Sequence, residues 1–519
     1  MSEPLMSTES GSTMSRGRRW AALVVLSASL LVITMDMTIL NIALPEMAGD
    51  LHPSSDQLLW IVDVYSLVLA GLLVSVAAIA DRWGRRRMLI LGYAIFAAAS
   101  LAVLFASTAE AVIAIRALLG IGGAMIMPTT LSLIRVIFND PRERATALSI
   151  WAAISGLGMI IGPLVGGFLL EHFSWHAAFL INVPLMMIAL IATLILLPES
   201  RVKSPGRWDA LAAVLSLAGI VALVWAFKQF GKEASLAVAP AWIAMAIAIA
   251  TLTWFAMRSL RSDHPLLDIR LFRSRAFSAG IIAAFGATFS MVGALLLIAQ
   301  WLQLVDGATP IQAGIQLMPL AVVGTIAALA APPLSRLIGS RSVMGGGLAI
   351  AGIGLLYIGL VGDNLNLTHI IIALCLVGIG MGSLAIGTEL VMGGAPAEKA
   401  GNAGALQETA YEFAGTLGVT ILGSISALVY RADLTSSAGF EALEQLDPTL
   451  AGQAEESLGA AVMIANELGM TDLATRAGEA FTASLQATGY IGGALMLAVA
   501  AVCFFLSPKG VNVVKAAAH

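Results

Sequence analysis

The sequence predicts an all-α polytopic membrane protein with fourteen transmembrane helices. Hydrophobic residues make up 59% of the 519 residues and charged residues only 12%, whereas soluble domains contain roughly 25% charged residues. The mean hydropathy is +0.90. Apolar runs of about 20 residues, enough to cross a bilayer as helices, alternate with short polar segments. Helices are required because unpaired backbone groups are costly in hydrocarbon, and the alternating strands of a membrane barrel are not visible.

The apolar runs give the predicted spans and their grouping into six, two and six helices. The spans are 20–44, 58–80, 88–108, 111–135, 146–170, 177–198, 208–228, 238–259, 276–301, 312–334, 343–362, 368–392, 403–430 and 485–507. The predicted parts of the chain are an N-terminal tail 1–19, a six-helix half 20–200, two additional helices 201–260, a second six-helix half 261–507 and a C-terminal tail 508–519. The outside loop 431–484, with nine acids and two bases, predicts one or two amphipathic helices over the outer face.

Positive charges predict that both termini are cytoplasmic. With the N-terminus placed inside, 23 of the 28 Lys and Arg residues fall in inside segments and four in outside segments. The remaining one, Arg116, lies well inside a span; Arg135, Lys228 and Arg258, at span ends, are counted with the adjoining segments. Inside loops of membrane proteins are enriched in Lys and Arg, and an odd or missed span would have scrambled this asymmetry.

The sequence also limits the energy source and the cofactors. A nucleotide-driven pump needs a phosphate-binding loop of the form G-x-x-x-x-G-K-[ST], and the only Gly-Lys pair, Gly231-Lys232, is followed by glutamate. The six histidines lie in loops or at span ends, which argues against a buried haem or metal. We therefore expect no cofactor and no nucleic-acid partner, and an ion or solute gradient as the energy source.

Six acidic or basic residues fall inside the predicted spans and clear of the span ends. A charge at the bilayer centre costs about 2.5–3.5 kcal/mol on insertion scales, so each one indicates a function or a partner. They are Asp36, Asp63, Arg116, Glu389, Glu408 and Glu412. The surplus of negative charge favours an organic cation, or protons that exchange with it, as the transported species.

The arginine and two of the acids carry specific expectations. Arg116 should face the interior and pair with a carboxylate, for which we predict Asp36; a purely structural ion pair is the alternative. Glu408 and Glu412 are four residues apart and share a helix face, with Tyr411 nearby. Their mutual repulsion favours proton uptake by one of them.

Three of the acids also have a plain positional alternative. Glu408 could lie wetted and inert at the cytoplasmic rim, Asp63 at the outer end of span two, and Glu389 at the inner end of span twelve.

A glycine-rich string in span five predicts close helix packing. Small residues four apart let a neighbouring helix approach; G-x-x-x-G alone is weak evidence, but the longer string G-x-x-x-G-P-x-x-G-G is far less probable by chance. The residues concerned are Gly158, Gly162, Pro163, Gly166 and Gly167.

Four strings together resemble the major facilitator superfamily, specifically its fourteen-span drug:proton antiporters. They are 35–45 in span one, 80–87 after span two, 116–124 in span four and 158–167 in span five. The resemblance covers essentially the whole chain. It implies the major-facilitator fold, in which two six-helix halves rock around a central cavity. It also implies an inward gate formed by the loop after span two, with the residues Asp81, Arg82, Gly84 and Arg85.

The chain departs from the family pattern at three places. Ala77 replaces a glycine of the gating loop, and Leu119 replaces a polar residue of the span-four motif. Span ten, Ile311 to Leu334, lacks the acid that some relatives carry. The missing acid argues against efficient transport of dications. Glu389 is the residue that could take its place.

The prediction is a monomeric plasma-membrane exporter of lipophilic cations, such as quaternary ammonium compounds and dyes, in exchange for protons. Proton coupling is assigned to Asp36, Arg116 and Glu408. Substrate binding is assigned to acids and to aromatic residues that can make cation–π contacts: Asp63, Glu389, Glu408, Glu412, Trp60, Tyr65 and Tyr411. Two alternatives stay open, an exporter of an endogenous metabolite or lipid with the same fold, and a membrane-embedded enzyme or channel.

Overall fold

The computed structural model describes residues 14–51, 53, 55–201, 209–232, 238–262, 265, 267–396 and 399–508. These residues form helices joined by short turns, and no strand occurs among them. The helices are α1 (Arg16–Leu51), α2 (Ser55–Trp83), α3 (Arg85–Ala102), α4 (Ala109–Ile137), α5 (Pro141–His172), α6 (Ala177–Leu180), α7 (Asn182–Leu196), α8 (Ala210–Lys232), α9 (Ala239–Arg261), α10 (Arg275–Leu304), α11 (Pro310–Ile338), α12 (Ser340–Leu360), α13 (Leu367–Gly393), α14 (Ala400–Leu434), α15 (Ala438–Leu446), α16 (Pro448–Glu456), α17 (Leu458–Leu468) and α18 (Thr471–Leu506).

The prediction of an all-helical membrane fold is confirmed. Within the described residues, thirteen helical segments are long and apolar enough to cross a membrane. A further long helix is α5, in which residues 145–170 carry no charged side chain. Each predicted span has a helix at its position. The cytoplasmic placement of the termini and the boundaries of the predicted parts stay predictions.

The sixth predicted span is divided at Ile181 into α6 and α7. Ile181 still donates a backbone hydrogen bond to Ala177, so the chain keeps a helical path through the break. Pro184, in the first turn of α7, has no N–H with which to bond the carbonyl of Leu180. The break places Asn182 at the start of α7, in the interior of the bundle.

The helices form two packed groups that face each other. One hydrophobic core is built mainly by α1 to α7 and another by α10 to α14 with α15 to α18. The groups meet where α5 packs on α11 and α13, and where α2 and α4 pack on α14. We call the end of the bundle that carries the α2–α3, α4–α5, α11–α12 and α13–α14 loops the inner end, and the opposite end the outer end, following the charge-based prediction of orientation.

The two additional helices, α8 and α9, pack on each other as a hairpin beside the contact between α2 and α14. Leu215 and Val224 of α8 share a small core with Leu67 and Val74 of α2, and Phe413 of α14 packs against this core. Asp209, just before α8, accepts a hydrogen bond of 2.6 Å from Arg258 Nε of α9. The hairpin therefore contacts helices from both groups.

The predicted close approach at the span-five glycines is confirmed for Gly158 and Gly162. A Cβ atom on Gly158 would lie 1.8 Å from Thr34 Oγ1, and one on Gly162 would lie 1.9 Å from Thr38 Oγ1. Because no side-chain atom fits at these distances, only glycine lets α5 lie this close to α1. Gly166 and Gly167 are less constrained, since their nearest neighbours would be 3.5 and 3.9 Å away. The side chain of Pro163 lies outside the described residues.

The outer segment 431–484 contains more helix than the sequence indicates. Three short helices, α15, α16 and α17, replace the predicted one or two, and α18 begins at Thr471 rather than near 485. Ser437, Asp447 and Ser457 start the short helices by accepting hydrogen bonds from backbone N–H groups, as capping side chains do. Tyr430 Oη of α14 donates to the carbonyl of Ala454 in α16 at 3.1 Å, which fixes the outer helices to α14.

Candidate functional site

A buried ion pair joins α1 to α4. Arg116 Nη1 donates to Asp36 Oδ2 at 2.9 Å, and each side chain is 2% exposed. The predicted pairing of these two residues is therefore confirmed. A charge pair buried to this degree loses hydration on both partners, which only good geometry and further hydrogen bonds offset.

The second oxygen of Asp36 is held by α7. Asn182 Nδ2 donates to Asp36 Oδ1 at 2.6 Å, and Asn182 is completely buried. Each oxygen of the carboxylate thus accepts a hydrogen bond from a different helix. The carboxyl group links α1, α4 and α7 at one point.

The guanidinium of Arg116 has further partners on α2. Its Nε donates to the carbonyl of Ile61 at 3.2 Å, and its Cζ lies 4.4 Å from the centroid of the Tyr65 ring. Tyr65 is buried, and its hydroxyl has no hydrogen-bond partner among the described residues. The ring face that was predicted to meet a substrate cation is in contact with Arg116 in this structure.

The second group of predicted residues lies on α14. Glu408 is buried, at 3% exposure, and its Oε1 has no hydrogen-bond partner within the described part of the chain. The alternative that Glu408 is wetted at the rim is wrong, because its side chain is buried; α2, α4, α10 and α13 all pack on α14. Glu412, one turn further along, is half-buried. The helix thus presents two carboxyl groups to the interior.

A polar contact joins this part of α14 to α13. Gln407 Nε2 donates to Thr388 Oγ1 at 2.8 Å and to Tyr411 Oη at 3.3 Å. Gln407 and Thr388 are buried. The amide fixes Tyr411 beside the two carboxyl groups, so the predicted neighbourhood of Glu408, Tyr411 and Glu412 has a defined anchor.

Glu389 occupies a different place. It is buried on α13, and the charges that attract its carboxylate are those of Arg144 on α5 and Arg336 on α11. Arg144 is also buried, and the attraction acts across the contact between the two groups of helices. Its predicted role in substrate binding stays a prediction, and its surroundings indicate a contact at the inner end.

The remaining predicted substrate residues lie on α2. Trp60 is 44% exposed and faces the surface in this structure. The side chain of Asp63 lies outside the described residues, so its assignment stays a prediction.

The predicted gate at the inner end is a compact ion-pair cluster. Asp81 Oδ1 accepts a hydrogen bond of 3.0 Å from Arg85 Nε, and it forms a salt bridge with Arg85 Nη2 at 2.8 Å. Arg85 also donates through its backbone N–H to the carbonyl of Ser200 at 2.8 Å. Arg82 occupies the last turn of α2, and its charge attracts Asp81. The cluster ties α2 and α3 to the segment that follows α7.

Gly84 makes the sharp turn between α2 and α3 possible. Its φ is +123°, a backbone conformation that glycine adopts readily because it has no Cβ. A Cβ there would also lie 2.5 Å from Glu199 Oε1. This carboxyl oxygen accepts from the backbone N–H of Arg86 at 3.2 Å, so the turn and the segment after α7 fit together.

Asp81 also reaches the other group of helices. A Cβ on Gly401, in the first turn of α14, would lie 2.5 Å from Asp81 Oδ2. The start of a helix carries partial positive charge, which favours a nearby carboxylate. Asp81 therefore joins α2 to α14. Arg135 of α4 adds a second contact between the two groups of helices by donating a hydrogen bond to the carbonyl of Ala395, which lies between α13 and α14.

Sequence reasoning missed three polar residues of the site: Asn182, Gln407 and Thr388. All three are fully or almost fully buried amides or hydroxyls. An amide in an apolar span is a polar group that needs a partner, and this signal was available for Asn182 and Gln407. Thr388 gave no such signal, because threonine is common in transmembrane helices.

Comparison with known proteins identifies the class. Residues 26–419 match the family model described as Major Facilitator Superfamily. The chain therefore belongs to this superfamily of transporters, which confirms the predicted fold, the multi-pass membrane location and the prediction of a transporter rather than an enzyme.

Relatives of the chain are drug-resistance proteins. It is 41% identical over 494 residues to the multidrug efflux pump LfrA of Mycolicibacterium smegmatis, covering 94% of this chain and 96% of LfrA. It is 35% identical over 452 residues to the methyl viologen resistance protein SmvA of Salmonella typhimurium, covering 87% of this chain and 90% of SmvA. It is 31% identical over 421 residues to the multidrug resistance protein Stp of Mycobacterium tuberculosis, covering 79% and 76%.

Solved structures agree on the fold. The human organic anion transporter MFSD10 has a TM-score of 0.64 at 14% identity and covers 93% of this chain and 99% of its own. The proton:xylose symporter XylE has a TM-score of 0.59 at 12% identity and covers 93% and 95%. At these identities the likeness concerns the fold alone.

Proposed function

We propose that the protein is a proton-coupled multidrug efflux antiporter that exports lipophilic organic cations by alternating access. Its substrates are quaternary ammonium compounds, dyes and similar drugs. One observation carries the proposal: Glu408 is buried, and its Oε1 has no hydrogen-bond partner among the described residues.

A buried carboxylate without a cation or a full set of hydrogen bonds is costly. A bound proton relieves this cost, and so does a bound organic cation, but the two compete for the same negative charge. Exclusive occupancy by one or the other is what exchange of a drug for a proton requires. Glu412 supplies a second negative group one turn away, and Tyr411 supplies a ring that can contact a cation.

The relatives support the same direction. LfrA is a multidrug efflux pump, and SmvA confers resistance to methyl viologen. The runs 59–66 and 173–176 and the long outer segment also resemble the staphylococcal quaternary-ammonium exporter QacA. On this proposal Asp36 and Arg116 take part in proton coupling, and Asp81 and Arg85 control the inner gate.

The test is ethidium efflux and proton movement in energised membrane vesicles. Glu408→Gln keeps the shape of the side chain but removes the negative charge, and we expect transport to fall by about tenfold or more, equivalent to about 1.4 kcal/mol of lost binding. Asp36→Asn should abolish the coupled proton movement. Glu441→Gln, at an exposed site in α15, is the matched control and should transport normally.

Two results would count against the proposal. If Asp36→Asn and Glu408→Gln both transport ethidium normally with coupled protons, the site assignment is wrong. If a panel of monovalent and divalent cations neither competes with transport nor drives proton release from the purified wild type, the substrate is an endogenous metabolite or lipid instead.

A further inference from the structure

Asn182 sits where three helices converge on one carboxyl group. Its Nδ2 lies 2.6 Å from Asp36 Oδ1, while Arg116 Nη1 lies 2.9 Å from Asp36 Oδ2. An ionised carboxylate only accepts hydrogen bonds, so the amide must turn its NH2 group towards it. The amide carbonyl, Asn182 Oδ1, is consequently left without a partner among the described residues, although the side chain is fully buried.

An unpartnered buried acceptor next to a carboxyl group has a specific chemical use. A protonated carboxyl group carries an O–H donor, and an amide carbonyl can accept it. Rotation of the Asn182 amide by half a turn would therefore exchange one hydrogen bond for another when Asp36 takes up a proton. Arg116 has only donors. When the carboxyl group of Asp36 is neutralised, the attraction between opposite charges that joins it to Arg116 is therefore lost.

We propose that Asn182 is a positioning residue that holds the Asp36 carboxyl group in both of its protonation states and opposes its protonation. Proton uptake then weakens the connection from α1 to α4 while the connection from α1 to α7 persists. The break between α6 and α7 suits this role, because it places the side chain of Asn182 in the interior of the helix bundle. The inference rests on the proposed proton coupling at Asp36.

Among the described residues, few charged or titratable groups lie around Asp36. Arg116 contributes from α4, Tyr65 from α2, and the charge of Glu412 on α14 reaches Tyr65. α7 contains no titratable residue, and those of α5 lie at its two ends. A change at Asn182 therefore leaves every charge around Asp36 in place and removes only its hydrogen bond.

The experiment measures protonation of Asp36 directly. Infrared difference spectra of the purified protein, recorded against pH, give the carboxyl C=O band that is missing in Asp36→Asn. In Asn182→Leu the titration midpoint of this band should move to higher pH by about half a unit to one unit, because the hydrogen bond lost from the charged carboxylate is stronger than the one lost from the neutral acid. Asn182→Ser, which keeps a shorter donor and acceptor, should shift it less and in the same direction, and it serves if the leucine variant does not fold.

Thr193→Val is the matched control. Thr193 is equally buried on α7 but lies eleven residues further along, about 16 Å away at 1.5 Å per residue, and its midpoint should equal that of wild type. An unchanged midpoint in the Asn182 variants overturns the proposal, as does an equal shift in Thr193→Val or the absence of an Asp36 band in wild type.

Exchange of ethidium for protons in liposomes separates this inference from the proposed function. If wild type shows the Asp36 band and the Asn182 shift but no exchange, the positioning of Asp36 stands and the proposed function fails. If wild type exchanges ethidium for protons and Asn182→Leu does so with the same pH optimum, the positioning role fails and the proposed function stands.

Discussion

Replacing Gly158 and Gly162 together by alanine is expected to force α1 and α5 apart. The new Cβ atoms would lie 1.8 Å from Thr34 Oγ1 and 1.9 Å from Thr38 Oγ1, far inside contact distance. Rotating the hydroxyl groups does not make room, because backbone carbonyls of α1 would remain 3.0 and 2.9 Å from the two Cβ atoms. The helix backbones must therefore move.

The free energy of unfolding should fall by about 2–4 kcal/mol. Overpacking costs about 1–3 kcal/mol per site, and overlaps this short belong at the upper end. Alanine returns about 1 kcal/mol per site through its better helix propensity. Gly167→Ala is the matched control on the same helix: its nearest neighbour would be 3.9 Å away, so only the propensity gain applies and stability should rise or stay level.

The assay is the fraction of detergent-solubilised protein that stays monodisperse after heating, measured by fluorescence-detected size-exclusion chromatography. The double variant should lose monodispersity several degrees below wild type, and Gly167→Ala should not. Adding Thr34→Ala to Gly158→Ala removes the closest overlap and should restore part of the loss. A double variant as heat-resistant as wild type would refute the argument that glycine sets the spacing of these helices.

Two further predictions concern the ends of the bundle. Gly401→Ala should lower ethidium efflux, because its Cβ would lie 2.5 Å from Asp81 Oδ2 and would push the carboxylate from the first turn of α14; Gly423→Ala, with no atom within 4 Å, is the control, and equal efflux in both would contradict the reasoning. At the outer end, backbone N–H groups at the start of α16 hold the pKa of Asp447 below its ordinary value of 3.8. The stabilisation is therefore complete above that value and lost as pH falls through the lower folded pKa. Limited proteolysis of the wild type between α15 and α16 should be slow and independent of pH near neutrality, and faster in strong acid. Asp447→Ala should be cleaved faster at every pH. Asp447→Asn can still cap the helix and should be cleaved at the wild-type rate near neutrality.

The sequence predicts the spans well and the helix ends poorly, for a physical reason. Hydropathy marks the part of a helix that crosses the bilayer, but a helix continues into water as long as its own hydrogen bonds are satisfied. α18 accordingly begins at Thr471, well before the apolar run that predicts a span from 485. The same limit hid the three short outer helices, whose capping residues are visible in the sequence only as serine and aspartate.

The candidate site divides in the same way. The pairing of Asp36 with Arg116 could be predicted, because a buried arginine needs a carboxylate and few are present. The burial of Glu408 could not be decided, since a position near a span end is compatible with water or with protein around it. Asn182 was missed because finding its partner requires knowing that α7 crosses α1 at the level of Asp36.

The two buried carboxyl groups differ in how their charge is balanced, and this difference gives the proposed exchange a direction. Asp36 already has a cation beside it in Arg116, so taking up a proton leaves the guanidinium as an uncompensated positive charge in the interior. Glu408 has no cationic partner among the described residues, so an organic cation there balances a charge that is otherwise unpaired. The charges of Asp36 on α1 and of Glu412 on α14 both act on Tyr65 of α2. On the proposed mechanism, a proton arriving at Asp36 would thus add positive charge near the bound drug and favour its release.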